Sequence, residues 1–251
     1  MQPEHKKREE RILEILYEHG NVSISRLSEI FSVTPVTIRK DLDRLESGGM
    51  IVRTHGGASP LYDKELMERR KSHADQKLRI AKAAAEMIAD SDRVMISAGT
   101  TTSQIPKFLV SKRKVHIVTN STLLLNYGRM LPSVEITMLG GEFMPEAEAL
   151  KGSITLRELD MFHTDKAFIG CDGFAIEEGV SANHTELAEI CRKIITRTSR
   201  LCLVADSSKF DQTGFAYIDK IENINTLITD TLLSAESEKK LRKAGVDVVK
   251  V

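Results

Sequence analysis

The chain has no tryptophan, few aromatic residues (5%) and only three cysteines among its 251 residues. Cys171, Cys191 and Cys202 are odd in number, stand 20 and 11 residues apart and form no C-x-x-C pair. That pattern excludes a disulfide framework and reads as reduced thiols in a cytoplasmic protein. An excess of either charge is missing too, since 36 Lys+Arg balance 36 Asp+Glu. Global basicity therefore gives no argument for nucleic acid, and any such reading rests on local geometry. No apolar run approaches the roughly 18 residues that a membrane span requires. The start, Met1-Gln2-Pro3-Glu4-His5-Lys6-Lys7, runs into a charged helix without a signal peptide's apolar region. Neither secretion nor membrane insertion is expected. What is present is 41% hydrophobic residues, enough to bury a sizeable core.

Two hydrophobic rhythms follow one another, with no internal repeat of 20 to 50 residues. Residues 1–57 read as one domain, 58–74 as a polar and charged linker, and 75–251 as a second domain. The linker holds Leu61, Tyr62, Leu66 and Met67 beside Arg69-Arg70-Lys71, so it can pack as a lever as well as tether.

In the first domain Ile12, Leu13, Ile15 and Leu16 predict an amphipathic helix over 4–19, ended by Gly20 in a left-handed conformation. Ser25 is placed to cap a short second helix carrying Leu27, Ile30 and Phe31. Thr34 then Pro35 reads as N-cap and first position of a third helix, with Ile38, Leu42 and Leu45 as its buried stripe and Gly48-Gly49 as its stop. Met50 to Gly57 has the length and glycines of a β-hairpin wing, which completes a winged helix-turn-helix. Val36, Lys40, Asp43 and Ser47 then face outward, with Thr37, Arg39 and Arg44 at the margins. Such a face suits a DNA major groove: Arg and Lys meet phosphates or guanine, and Val36 and the Thr37 methyl meet thymine methyls. Arg53 and His55 on the wing reach the adjacent backbone or minor groove. The domain has nine Lys+Arg and nine Asp+Glu, so its field must be polarised.

The second domain alternates strands and helices. Strands are predicted at Arg93 to Ser97, Val115 to Thr119, Val134 to Leu139, Lys166 to Gly170, Arg200 to Ala205, Asn225 to Thr229 and Val246 to Lys250. Helices are predicted around 75–89, 121–130, 184–197 and 234–244. This is the rhythm of an α/β fold with a mostly parallel sheet. Five polar or glycine turns follow strands and so share the edge where such sheets bind ligands. The turn Ala98-Gly99-Thr100-Thr101-Thr102 opens a short helix, bringing backbone N–H groups and three hydroxyls together as an anion cradle. It lacks the Walker A lysine and spacing, so a phosphate monoester suits it better than a nucleoside triphosphate. Thr119-Asn120-Ser121-Thr122, Gly140-Gly141, Gly170-Cys171-Asp172-Gly173 and Asp206-Ser207-Ser208-Lys209 complete the edge. Asp172 suits sugar hydroxyls and Lys209 a phosphate or sugar oxygen; together the turns favour a phosphorylated small molecule.

Both halves resemble one family. The run Val33-Thr34-Pro35-Val36-Thr37-Ile38-Arg39-Lys40-Asp41-Leu42, with Leu45-Glu46, Gly48-Gly49 and Arg53-Thr54-His55-Gly56-Gly57-Ala58, resembles the N-terminal signature of DeoR-type bacterial transcription regulators. Ala98-Gly99-Thr100-Thr101, Val118-Thr119-Asn120-Ser121, Leu139-Gly140-Gly141, Gly152, Ile169-Gly170, Asp172-Gly173, Glu186 with Arg192-Lys193 and Asp206-Ser207-Ser208-Lys209-Phe210 resemble that family's C-terminal sensor domain. The resemblance implies a recognition helix from Pro35, with Arg39, Lys40 and Asp41 as the family's basic-basic-acidic triplet. Lys40 stands where the family more often has Arg, which turns a bidentate contact into a point-charge contact. Pro35-Val36 lies in the variable stretch that sets operator choice. The implied DNA-contacting set is Thr34, Val36, Thr37, Arg39, Lys40, Arg44, Arg53 and His55. The sensor domain is implied to share the fold of ribose-5-phosphate isomerase. Gly99 to Thr102 would hold phosphate, and Asn120, Ser121, Gly141, Asp172, Gly173, Glu186 and Lys209 would surround the sugar. The implied protein is a homo-oligomeric repressor, dimer or tetramer, of a sugar or polyol catabolic operon. It binds double-stranded operator DNA under control of a phosphorylated sugar and uses no cofactor or metal.

Three rivals accompany this reading, one of which keeps the fold but makes the first domain a protein-interaction module, whose binding would depend far less on salt than DNA binding does. An isomerase-like enzyme with an accessory N-terminal interaction domain would use Asp172, Glu186 and Lys209 for proton transfer. A zinc site at His184-Thr185-Glu186 lacks the P-C-x-x-C partner that such a site needs.

Overall fold

The computed structural model describes residues 4–128 and 130–251 and divides into two compact units, 1–68 and 69–251. The first begins with α1 (Glu4–His19), whose Ile12, Leu13, Ile15 and Leu16 are buried. Gly20 ends it at φ +69°, a region that glycine enters without penalty. Next come β1 (Val22–Ser23) and α2 (Ile24–Phe31), and here the structure corrects the expected cap. Ser23, not Ser25, caps α2: its backbone is extended and its Oγ accepts from the Arg26 N–H at 3.1 Å. The pairing of β1 with a later strand sets that extended entry.

The third helix, α3 (Pro35–Ser47), starts as its sequence predicts, with Thr34 Oγ1 accepting from the Thr37 N–H at 3.3 Å and Pro35 in the first turn. Ile38, Leu42 and Leu45 are buried against α1 and α2. The wing is β2 (Ile51–Thr54) with β3 (Gly57–Pro60), and β1 adds to β3 on the other side. Its return strand thus extends beyond the Gly57 at which the expected wing ended. Gly57 has no room for a side chain, because a Cβ would lie 2.3 Å from the Val22 carbonyl oxygen. The stretch read as linker folds into α4 (Lys64–Lys71), with Leu66 and Met67 buried.

The second unit opens with α5 (Ala74–Glu86) and β4 (Arg93–Ile96), then β5 (Val115–Thr119), α6 (Leu125–Gly128) and β6 (Val134–Met138). The helix expected over 121–130 is a 3-10 turn at Thr122–Leu124 followed by α6, and its Arg129 lies outside the described residues. A hairpin of β7 (Glu142–Met144) and β8 (Ala149–Lys151) leads to α7 (Ser153–Leu159) and β9 (Lys166–Ile169). Then come β10 (Gly173–Ala175), β11 (Gly179–Ala182), α8 (Thr185–Thr196), β12 (Leu201–Val204), β13 (Ala216–Asp219), β14 (Thr226–Thr229), α9 (Ala235–Lys243) and β15 (Asp247–Lys250).

The seven predicted strands are the seven of one parallel sheet, in the order β15-β14-β12-β9-β4-β5-β6. Its strands are buried on both faces, as parallel sheets are. Val94, Ile96, Phe168 and Cys202 pack on one side with α5, while Met95, Ala167, Ile169 and Leu203 pack on the other with α8. A separate antiparallel sheet, β10-β11-β13, and the β7-β8 hairpin were not among the predicted elements.

Candidate functional site

The outward face of α3 carries Val36, 58% exposed, with Arg39 and Lys40 exposed beside it. His55 is exposed in the turn between β2 and β3. Other residues expected to meet DNA have internal duties. Thr34 is spent on the cap, its hydroxyl 3.0 Å from that of Thr37. Arg44 Nε donates to Glu9 Oε1 at 2.5 Å and its Nη2 to Asp41. Arg53 Nη1 donates to Asp43 Oδ1 at 2.6 Å, tying the wing to α3. Asp41, the acidic member of the triplet, is fully buried and accepts from Arg8 Nε at 2.5 Å and Arg8 Nη2 at 3.2 Å. It fastens α3 to α1. Sequence reasoning missed this, although a signal was there: Ile38, Asp41, Leu42 and Leu45 stand at i, i+3, i+4, i+7, the spacing of a buried stripe.

In the second unit β4 is followed on one side by β5 and β6, while β9 and its successors lie on the other. The strand order therefore reverses between β4 and β9, and the crevice outside their C-terminal ends is where open α/β sheets bind ligands. Residues 98–102 and 170–173 sit there. Gly99 has no room for a Cβ, which would lie 2.8 Å from Thr102 Oγ1, and that hydroxyl donates back to the Gly99 carbonyl at 3.1 Å. Thr102 and Thr101 are buried, so Gly99 and Thr100 are the accessible part of the turn. The 3-10 helix that follows, Thr102–Phe108, has no side-chain cap, and its Ser103 and Gln104 N–H groups donate back to the Gly99 and Thr101 carbonyls at 3.0 and 3.1 Å.

Asn120, expected beside the sugar, is engaged within the fold. It is buried, its Oδ1 accepting from the Ala98 N–H at 2.9 Å and its Nδ2 donating to the Leu150 carbonyl at 3.1 Å. It clasps the turns after β4 and β5 to the β7-β8 hairpin. Ser121 beside it is fully buried, with no hydrogen-bond partner for Oγ among the described residues. Gly141 and Gly173 are also explained by packing: added Cβ atoms would lie 2.2 Å from Thr155 Oγ1 and 2.2 Å from the Gln212 carbonyl oxygen. The hairpin's Met144, Ala147 and Ala149 pack with Ala98 and Leu187, which brings it over the same edge.

Charged groups line this edge. Lys151 Nζ donates to Glu186 Oε1 at 2.6 Å, and Thr185 Oγ1 to Glu186 Oε2 at 2.9 Å. The lysine hydrogen bond foremost, then Glu186's own backbone N–H and Thr185, hold its carboxyl down at about 2. Lys151 is correspondingly raised. Asp172 Oδ2 accepts from the Asn183 N–H at 2.8 Å. Asp206 caps the turn Ser207–Lys209, and Asp230 grips it through the Ser207 N–H at 2.7 Å and hydroxyl at 2.9 Å. Lys209 is half-buried. Burial pushes up the Cys171 thiol and lifts Cys191 to about 12, so neither is a nucleophile at neutral pH. Among the described residues no cluster of three or more His, Cys, Asp or Glu is placed to hold a metal ion.

Lys77 and Lys151 were missed in the sequence. Lys77 is 5% exposed; its Nζ donates to the main-chain carbonyl of Ser72 at 2.8 Å and to that of Arg69, in the last turn of α4. Burial lowers its pKa while Asp206 opposes, and Lys209 and Arg69 are also in electrostatic range. Arg69 in turn donates to the Glu146 carbonyl in the β7-β8 hairpin.

Comparison with known proteins identifies the family. Residues 72–231 match the DeoR C terminal sensor domain, and residues 8–62 match the DeoR-like helix-turn-helix domain. The chain is 32% identical over 242 residues to the HTH-type transcriptional repressor GlcR of Bacillus subtilis, covering 95% of this chain and 93% of that one. It is 30% identical over 250 residues to the HTH-type transcriptional regulator GlpR of Haloferax volcanii, covering 97% and 96%. Ribose 5-phosphate isomerase A of Methanocaldococcus jannaschii superposes on 55% of this chain and 55% of its own, with 16% identity and a TM-score of 0.41. The sequence relatives are regulators and not enzymes, and the chain belongs to the DeoR family of DNA-binding transcriptional regulators.

Proposed function

We propose that this regulator is a cytoplasmic repressor of a sugar or polyol catabolic operon, and that a phosphorylated sugar in the crevice between β4 and β9 governs its hold on operator DNA. The observation that carries the reading is the reversal of strand order beside an accessible Gly99-Thr100 turn that opens a 3-10 helix without a side-chain cap. Phosphate sits on that turn. Lys209 supplies the cation, and Asp172 and the ionised Glu186 accept sugar hydroxyls. Asn120, Gly141 and Gly173 shape the walls. In the first unit Val36, Thr37, Arg39 and Lys40 meet the operator, with His55 on the wing.

Lys77 supports a route between the two events. It holds the end of α4 through two carbonyls and stands in range of Asp206 and Lys209, so an anion bound at the edge changes the field on the lysine that fixes this helix. A coupling of about 2.8 kcal/mol changes DNA affinity about a hundredfold, and operator then weakens effector binding by the same factor. Repressors of this kind act on paired half-sites, which calls for a dimer or tetramer. Calorimetric titration with sugar phosphates and their free sugars tests the site: binding of an ester and not of its sugar is expected. Equal binding of both would remove the phosphate cradle.

A further inference from the structure

The two edges of the seven-stranded sheet differ. At β15 the border is occupied: Arg242 Nη2 donates to the outward Val248 carbonyl, and Lys250 Nζ donates to the Leu233 carbonyl at 2.8 Å and lies 3.4 Å from Glu238 Oε2. At the opposite edge β6 is hydrogen-bonded to β5 alone. The Leu139 N–H donates to the Thr119 carbonyl at 2.9 Å, and in a parallel ladder every second residue turns to the same neighbour. Glu135, Thr137 and Leu139 therefore face β5, while Val134, Ile136 and Met138 turn their main-chain groups outward. The Val134 N–H is taken by the Leu131 carbonyl at 3.0 Å. Among the described residues nothing takes the N–H groups of Ile136 and Met138 or the carbonyls of Val134 and Ile136. Sheets protect such an edge with a bulge, a proline or a lysine, yet β6 keeps an unbroken register with β5 and has neither proline nor lysine. Its flanks are apolar. On the α5 side, α6 and the turn after it leave Leu125 and Met130 49% and 68% exposed; on the α8 side, α7 leaves Ile154 exposed against Gly140, just past β6.

We propose that two copies of this chain join through β6, antiparallel about a two-fold axis at Ile136, so that their parallel sheets become one continuous sheet. The inference rests on the oligomer in the proposed function and assigns its interface. The two Ile136 residues form a hydrogen-bonded pair that exchanges both N–H groups, and each Met138 N–H donates to the Val134 carbonyl of the second copy. Every free main-chain group named above is then used, and the half-buried Ile136 side chains meet across the axis. The ends of β6 fit the same arrangement. Lys112, Arg113 and Lys114 line a groove of about 970 Å³ at its start; Glu135 in the groove and Asp90, which accepts from the Arg113 N–H at 2.9 Å, offset part of that charge. Past its end stand Glu158, which accepts from the Gly140 N–H at 2.5 Å, and Glu142, which lies in the field of Lys151. Antiparallel pairing sets the basic end of each β6 against the acidic end of the other. A second copy is thus the occupant that the edge itself complements, and a two-fold contact closes.

Solution mass and cross-linking of the full-length protein test this. Ile136→Pro removes an N–H that β5 does not use, so a single copy keeps its ladder while the ring blocks the second copy. Sedimentation velocity is expected to give about half the wild-type mass, with an unchanged circular dichroism spectrum. Should that variant fail to fold, Ile136→Cys decides the question. Hydrogen-bonded antiparallel pairs hold their Cα atoms about 5.5 Å apart, within the span of a disulfide, so mild oxidation is expected to link two chains. Leu232→Cys, exposed and outside β6, is the control and should stay unlinked, as should the wild type, whose Cys191 and Cys202 are buried and whose Cys171 is half-buried. A folded Ile136→Pro variant at the wild-type mass, or an oligomeric Ile136→Cys variant that oxidation does not link, would overturn β6 as the interface and leave the oligomer standing. A wild type that sediments as a monomer would overturn the oligomer beneath it as well.

Discussion

The ammonium of Lys77 lies 2.8 Å from the main-chain carbonyl oxygen of Ser72, a buried charge solvated by backbone where α4 gives way to α5. Its second carbonyl, from Arg69, belongs to the last turn of α4, where a cation also meets the negative end of the helix dipole. Lys77→Met keeps the length and removes both bonds. Operator affinity without effector is expected to stay within about threefold of wild type, while release by effector falls from about a hundredfold to below tenfold. Paired titrations of DNA in the presence and absence of effector read this directly; undiminished release would remove Lys77 from the route.

Asp41 is the group on which the first unit depends most. Asp41→Asn replaces a buried carboxylate by an amide and removes the negative charge that Arg8 and Arg44 share, leaving Arg44 its bond to Glu9. A loss of about 3 kcal/mol in the stability of that unit is expected, since breaking a buried ion pair from one side is strongly destabilising. Urea denaturation followed by circular dichroism should show an earlier transition for the variant. A change under about 0.5 kcal/mol, the range of ordinary surface substitutions, would mean that Asp41 is not the fastening.

Gly141 combines φ +144° with a Cβ position 2.2 Å from Thr155 Oγ1 and 2.5 Å from the Lys151 carbonyl oxygen. Gly141→Ala is expected to cost about 2 kcal/mol or more through strain and clash. Because Lys151 follows the displaced backbone, effector affinity should fall with it. Thermal melts and calorimetry on the same sample separate the two effects, and a stable variant with unchanged affinity would contradict the packing reading.

Glu186 gives a pH signature. Its carboxyl is lowered from 4.5 to about 2 in the folded chain, so its contribution to stability is complete above about 4.5 and is lost as pH falls towards 2. The pair is partly exposed, so the effect on stability is small and is better read at the carboxyl itself. Carbon NMR should place the Glu186 midpoint near 2, moving towards 4.5 in Lys151→Gln. An unmoved midpoint would show that Lys151 is not the main cause.

How much of this was legible in the sequence follows from where each signal is stored. The parallel sheet was readable because its strands are runs of large apolar residues, such as Val94-Met95-Ile96 and Leu201-Cys202-Leu203-Val204, buried on both faces. The β7-β8 hairpin and the β10-β11-β13 sheet were not, since their strands are three or four residues long and include Gly173, Ala175, Gly179 and Ala182 in place of a β-branched run. The turns of the crevice were visible as Gly, Ser, Thr and Asn after strands. Which of them clasp the fold was not, because the partners of Asn120 are main-chain atoms of Ala98 and Leu150, supplied only by the tertiary structure. Lys77 is hidden for the same reason: a lysine in a helix reads as solvated until its carbonyl partners are placed. The apolar stripe of α3 was assigned without Asp41, whose spacing already put it inward.

The most direct test of the account is fluorescence anisotropy of the full-length protein on labelled DNA from its own upstream region, in the presence of excess non-specific competitor and titrated with sugar phosphates. Tight binding released by one phosphate ester, and not by the corresponding free sugar, is the predicted result, with release weakened in Thr100→Asp, which puts like charge in the cradle, and binding weakened by about 1 to 3 kcal/mol in Arg39→Ala. Tight binding that no phosphate ester alters, or release by free sugars as readily as by their esters, would contradict it.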